Sequence, residues 1–202
     1  RVRARRTFAG WWIIRFLVDE RKAPVAAGDV LAGKYRVERV LGVGGMGVVV
    51  AATHIDLGER RAIKFMLREA ARNERGVQRF LREARAAARL KTERVMAVHD
   101  VGRLDKVEPY MVMEYLEGFD LKKMLRMSGL PPVDRAVDLV MQVLEALAEA
   151  HAAGIIHRDL KPANLFVTEG PDGEASIKVL DFGISKITGG DDSDGEMTKT
   201  NA

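Results

Sequence analysis

Apolar and polar residues alternate along Tyr35-Arg36-Val37-Glu38-Arg39-Val40-Leu41, a period of two that predicts a strand. The run Gly42-Val43-Gly44-Gly45-Met46-Gly47 follows, and then Val48-Val49-Val50-Ala51-Ala52. Three successive valines are stiff at χ1 and favour a strand over a helix, so the segment reads as a β-hairpin with a glycine-rich turn. A third strand, Arg60–Leu67, places Lys64 next to Ile63. From Glu74 to Leu90 the period changes to that of a helix, with Val77, Phe80, Leu81, Ala84, Ala87 and Ala88 as the apolar stripe. Glu83 sits beside that stripe, within reach of Lys64 across a strand–helix interface. Arg68, Arg72, Arg75, Arg79, Arg82, Arg85 and Arg89 read as an exposed helical face, and Glu69, Glu74 and Glu93 as solvated. Val95–Val101 and Pro109–Tyr115 predict two more strands, which makes five strands and one helix in an antiparallel first half.

After Gly118 the pattern turns helical, which marks a boundary between two lobes. Asp120–Arg126 predicts a short helix ended by Ser128-Gly129. Pro131-Pro132 start a long one, since proline is tolerated in a first turn. Val133, Val137, Val140, Leu144, Leu147 and His151 recur on one face, widened by Ala136, Val143 and Ala148, and this face is expected to be buried. Gly154 reads as its C-terminal stop. Two short strands are expected at Asn164–Thr168 and Ile177–Leu180, and the polar, acidic tail Thr188–Ala202 reads as a mobile loop. There are no internal repeats.

Composition narrows the class. The chain has 202 residues, 47% of them apolar and 31% charged, the balance of a globular protein. It has no cysteine, which excludes disulfides and thiolate metal sites. Residues 1–22 hold seven Arg/Lys against Asp19 and Glu20, a net of +5. The overall charge of +4 therefore leaves −1 for everything else. A near-neutral globular part gives no electrostatic case for nucleic acid. Phe8–Val18 is apolar but short and interrupted by Arg15, too little to span a bilayer. Residues 1–27 are read as a leader outside the fold, disordered or not native to it, with an interfacial anchor as the second reading.

The chemistry concentrates in His157-Arg158-Asp159-Leu160-Lys161-Pro162-Ala163-Asn164 and the later Asp181-Phe182-Gly183. An Asp, a Lys, an Asn and a second Asp in that order suit a base, a phosphate clamp and ligands for a hard divalent cation. The histidines His54, His99 and His151 lack metal-ligand spacing and read as structural or surface residues. The G-x-G-x-x-G spacing of Gly42, Gly44 and Gly47 alone is weak, because dinucleotide-binding folds share it. Those folds open a helix at the last glycine, and here a valine run follows.

The phrases GVGGMGVV, AIK, VMEYLEG, HRDLKPANLF and VLDFGISK, in this order, resemble the Hanks-type protein kinases, the bacterial serine/threonine branch in particular. The likeness covers roughly Gly28–Ala202. It implies an α+β, bilobal fold: a five-stranded antiparallel N-lobe with its αC helix over residues 28–116, and a truncated, mainly helical C-lobe over residues 117–202. It also implies ATP and Mg²⁺, with Mn²⁺ as an alternative, and a protein substrate bearing Ser or Thr. A kinase dimer for autophosphorylation, a cytoplasmic location and no nucleic-acid partner complete the expectation, with membrane attachment of the whole protein open.

Residue by residue, the resemblance assigns Gly42, Gly44 and Gly47 to cover the nucleotide phosphates, and Lys64, paired with Glu83, to orient them. Leu41, Val49, Ala62 and Phe166 are similar to residues that sandwich adenine. Met113 is the gatekeeper, backbone groups of Glu114 and Leu116 bond the adenine edge, and Asp120 contacts ribose. Asp159 accepts the proton of the substrate hydroxyl, Lys161 neutralises γ-phosphate charge, and Asn164 with Asp181 holds Mg²⁺. His157 is expected to be structural, packing under Phe182. Arg158 is expected to be a buried cation that pairs with an autophosphorylated Thr198 or Thr200, with Ser193 as a weaker candidate. Lys161, two residues after Asp159, resembles the serine/threonine rather than the tyrosine branch.

One departure is Lys91-Thr92-Glu93-Arg94, which replaces the usual His-Pro-Asn and reads as a turn without catalytic atoms. The other is that the chain stops inside the activation segment. The 202-residue chain alone is therefore expected to bind nucleotide poorly, expose apolar surface and be inactive or unstable. The competing readings are a non-catalytic scaffold of pseudokinase type and a small-molecule kinase of similar fold. Retention of Lys64, Asp159 and Asp181 counts against the scaffold, and Lys161-Pro162 favours protein substrates.

Overall fold

The structure, a computed structural model, describes residues 25–44, 47–104, 108–170 and 173–182. Strand β1 (Val30–Leu31) leads into β2 (Tyr35–Val43), and the alternation read along this segment puts Tyr35, Val37 and Val40 inside. β2 pairs antiparallel with β3 (Gly47–His54), β3 with β4 (Arg60–Met66), and β4 with β6 (Glu108–Glu114), with β5 (Val98–Leu104) on the far edge. The sheet order is β1-β2-β3-β4-β6-β5. It has six strands rather than the expected five, because the two-residue β1 adds to the edge of β2.

One face of this sheet buries Val37, Val48, Val50, Ile63, Phe65 and Val112. The other carries Ala62, Met66, Met111 and Met113 beneath α2 (Glu74–Ala87), which contributes Val77, Phe80 and Ala84. A short α1 (Arg68–Ala71) precedes α2, and the Asn73 side chain caps α2 by accepting from Gly76 N at 3.2 Å. Ala86 rather than Ala88 completes the buried stripe, and the arginines lie exposed as the helical period requires.

The second sheet is smaller: β7 (Gly118–Asp120), β8 (Leu165–Glu169) and β9 (Ala175–Val179). Helix α3 (Leu121–Ser128) is capped by Asp120, whose carboxylate accepts from Lys123 N at 2.9 Å. Helix α4 (Val133–Ala152) packs on β8 and β9 through Leu139, Val143, Ala146 and Ala150.

This is only in part the face expected to be buried: Val143 and the half-buried Leu147 belong to it, the rest does not. Val133, Val137, Val140 and Leu144 are each more than half exposed, and His151 is exposed as well. The helix is apolar on two faces, so periodicity alone cannot choose between them. The sheet takes the one with Ala146 and Ala150, both at 0% exposure, whose small side chains allow close approach.

The segment expected as strand Val95–Val101 also differs. Val95 forms an isolated parallel bridge with Val179, and the strand begins only at Val98. Val95 packs into the α4–β9 core and Met96 into the core beneath α2, so this stretch stitches the two together. No helix among the described residues is long and apolar enough to cross a membrane.

Candidate active site

The glycine turn is anchored by Gly44 N donating to Gly47 O at 2.8 Å, with Gly42 opposite Val49 in the β2–β3 ladder. A Cβ built on Gly47 would lie 2.4 Å from Phe65 O on β4, the strand that carries Lys64. Nothing lies within 4 Å of a Cβ on Gly42. We therefore expect Gly47→Ala to force β3 and β4 apart and to destabilise by about 1–3 kcal/mol, whereas Gly42→Ala leaves the melting temperature nearly unchanged. Thermal unfolding of the two variants side by side checks this.

Leu41, Val49, Ala62, Met113 and Leu116 come together in one apolar cluster between β3, β4, β6 and α2, and Leu180 joins them. Leu180 escaped the sequence reading, although its place next to Asp181 was a signal. Phe166 lies instead in the second sheet, opposite Asp120. Glu114 ends β6, and its backbone N bonds Ala97 O at 3.0 Å.

Lys64 reaches across from the first sheet to the residue just beyond the second. Its ammonium is 2.7 Å from Asp181 Oδ1. This is a partner the structure gives Lys64; Glu83, expected from the sequence to pair with it, lies half-buried on α2. The two partners are 117 residues apart in the chain, a pairing that spacing could not reveal.

Asp159, Lys161 and Asn164 form a second tight group. Asp159 Oδ2 accepts from Lys161 Nζ at 2.7 Å and from Asn164 Nδ2 at 3.2 Å, and Asp159 O accepts from the same Nδ2 at 2.9 Å. Asn164 is itself buried, at the end of a 3₁₀ turn that Pro162 begins. Its backbone O accepts from Leu180 N at 2.8 Å, which ties this loop to the residue preceding Asp181. Arg158 (φ 60°) and Asp181 (φ 44°) both adopt the left-handed backbone region, a strain of order 1–3 kcal/mol that gathers at functional positions. Arg158 is exposed, which corrects the expectation of a buried cation. Thr198, Thr200 and Ser193 lie outside the described residues.

Beneath this group His157 is 2% exposed, 2.9 Å from Leu180 O through Nε2, with its ring tilted against that of Phe182 at a centroid distance of 4.8 Å. Burial, the largest cause, pushes its imidazole below the ordinary histidine value, and the Leu180 carbonyl opposes that. A depressed histidine contributes stability that is complete above the unfolded-state value of about 6.5 and lost as pH falls through the folded value. The melting temperature of the wild type should therefore fall more steeply on acidification below about pH 6.5 than that of His157→Asn, and melting curves at a series of pH values check it.

The donor set suits magnesium. Asn164 spends Nδ2 on Asp159, which leaves Oδ1 as a hard oxygen donor, and Asp181 supplies a carboxylate. Mg²⁺ is ordinarily held by one or two carboxylates together with substrate phosphates, not by a full protein cage. Among the described residues there is no group of three or more His, Cys, Asp or Glu able to hold a metal by itself.

A curled antiparallel sheet with one helix beneath it, joined to a second sheet by a lysine–aspartate pair, is the α+β, two-lobed architecture of the protein kinases. The chain belongs to that family: the protein kinase domain matches residues 35–201. It is 41% identical over 172 residues to the serine/threonine-protein kinase pkn3 of Myxococcus xanthus, covering 85% of this chain and 31% of that protein. With the serine/threonine-protein kinase PknA of Mycobacterium tuberculosis it shares 38% identity over 163 residues, 79% of this chain and 37% of PknA. The crystal structure of the Mycobacterium tuberculosis PknI kinase domain superposes with a TM-score of 0.66 at 34% identity, covering 79% of this chain and 63% of that domain. The chain thus spans between 22% and 37% of the length of the curated relatives it matches.

Proposed function

We propose that the protein containing this chain transfers a phosphoryl group from ATP to serine or threonine hydroxyls of proteins. The observation that carries the reading is the meeting of Lys64 with Asp181, beside a loop in which Asp159 is held by Lys161 and Asn164. The bacterial kinases to which it is similar support the same chemistry.

In this reading the cluster of Leu41, Val49, Ala62, Met113 and Leu116 receives adenine, with Phe166 on its far side, backbone groups of Glu114 and Leu116 at its edge and Asp120 near the ribose. Gly42, Gly44 and Gly47 leave room for backbone amides to approach phosphates. Lys64 exchanges Asp181 for the α- and β-phosphates and takes Glu83 as its second partner. Asp159 orients the acceptor hydroxyl and takes its proton, while Lys161 moves its charge to the transferring group. Asn164 and Asp181 would hold Mg²⁺, or Mn²⁺ in its place, and the ion would supply neutralisation of phosphate charge. Substrate-free, Lys64 is paired with Asp181 and Lys161 with Asp159, so each of these four charges has an opposite partner.

The N-lobe is assigned to residues 28–116 and the C-lobe begins at 117. Thr198 and Thr200 are proposed as phosphoacceptors of the chain itself, reached in trans from a second copy. The catalytic part is placed in the cytoplasm.

Titration with ATP in the full-length protein tests the binding half of this reading. Mg²⁺ should strengthen ATP binding, and Asp181→Asn should remove that increment. Binding indifferent to Mg²⁺ would refute it.

A further inference from the structure

The turn Lys91–Arg94, which reads from sequence as a spacer, is bonded to both α4 and β9. Lys91 N and Thr92 N both donate to Glu149 Oε1 on α4, at 2.8 and 3.0 Å. Arg94 O accepts from Val179 N at 2.7 Å, and Met96 N donates to Val179 O at 3.1 Å, so the turn lies against the end of β9.

The Arg94 guanidinium then spans two elements. Nε reaches Glu145 Oε2 at 3.2 Å, while Nη1 donates to Gln142 Oε1 and to Ser176 Oγ, both at 2.9 Å. Gln142 is bonded to β9 on both sides, accepting from Ile177 N at 2.7 Å and donating to Ala175 O at 3.1 Å. Just beyond the turn, Glu114 accepts from Ala97 N at 2.7 Å and holds Lys178 of β9 with both oxygens, at 2.8 and 2.7 Å. Every residue of β9 from Ala175 to Val179 is thereby bonded, directly or through Gln142 or Glu114, to the segment that follows α2. Asp181 lies two residues further on.

These contacts differ in what they contribute. The carboxylate that Arg94 pairs with belongs to Glu145, whose side chain is 58% exposed, and an ion pair of that kind adds little to stability. The guanidinium is instead a planar fork that fixes direction, which a lysine's point charge cannot do. Geometry, more than stability, is what Arg94 supplies.

We propose that Arg94 is a positioning residue for phosphoryl transfer: its guanidinium, through Gln142 and Ser176, holds β9 and hence Asp181 in register with the end of α2, the helix that carries Glu83. The inference rests on the function proposed above and adds to it a residue in a stretch where the sequence shows no catalytic atoms.

The test uses the full-length protein as wild type, Arg94→Met, Arg94→Lys and Ser176→Ala. Three quantities are followed: the gain in ATP affinity that Mg²⁺ confers (by titration), kcat with the KM of the protein acceptor, and the melting temperature. Arg94→Met should lower the Mg²⁺ gain and kcat by about tenfold or more, the usual consequence of a misplaced reacting group. The acceptor KM should stay within about twofold and the melting temperature within about 3 °C, as for loss of an exposed ion pair. Arg94→Lys should resemble Arg94→Met, since it keeps charge and loses the fork. Ser176→Ala, which removes one hydroxyl, should move the same two quantities less and decides the matter if Arg94→Met does not fold.

A Mg²⁺ gain and kcat at wild-type values in Arg94→Met, or in Ser176→Ala should that variant be the one that decides, would overturn the proposal even if the melting temperature fell. So would full activity in Arg94→Lys. A wild type that transfers nothing to any protein acceptor would instead overturn the underlying function, so the two failures are told apart.

Discussion

Asp159→Asn is expected to lower kcat on the order of 10³-fold, within the 10²–10⁴ range that a positioned general base contributes. Asparagine keeps the size of the side chain and an oxygen where Oδ2 now accepts from Lys161 and Asn164. It loses the negative charge and the ability to take a proton. Affinity for Mg-ATP and the melting temperature should change little, because Asp159 is intermediate in exposure and the buried scaffold below it is His157 and Asn164. Steady-state kinetics and a melt on the same preparation check the pair of outcomes. A kcat within about threefold of wild type would remove Asp159 from the role of base.

Asp181→Asn should be comparably severe, with transfer falling by about 10²–10³-fold, as when one charge-stabilising group is removed from a preorganised site. Asparagine is the substitution of choice here because Asp181 sits at φ 44°, a left-handed conformation that Asn adopts more readily than most residues. The loss would then report chemistry and not backbone strain. Lys64 loses its ionic partner at the same time, so its side chain should become more mobile in the substrate-free protein. Kinetics against Mg²⁺ concentration check this, with the defect only partly relieved at saturating metal.

The parts of the fold visible in the sequence are those governed by a single period or a single constraint. β2, β3 and β4 follow from alternation and a valine run, and α2 follows from one apolar stripe over an arginine face. Helix α4 has two apolar stripes, and which of them meets β8 and β9 depends on the small size of Ala146 and Ala150, a packing property invisible to periodicity. Val95 and Met96 look like strand because they are apolar neighbours, yet each belongs to a different core.

In the candidate site, the loop from Asp159 to Asn164 is legible because its members are close in the chain and their bonds are local. The Lys64–Asp181 pair and the Arg94–Gln142–Ser176 lattice join residues 33 to 117 positions apart through tertiary structure. No local pattern encodes these contacts, so from the sequence Arg94 reads only as part of a turn.

The central claim is that this site moves phosphate from ATP to hydroxyls of serine or threonine. The most direct test is incubation of the full-length protein with Mg²⁺ and ATP labelled in the γ-phosphate, in the presence of a mixed protein acceptor, followed by acid hydrolysis and identification of the labelled amino acid. Labelled phosphoserine or phosphothreonine is the predicted result. Label confined to phosphotyrosine, or no label in protein at all, would contradict it.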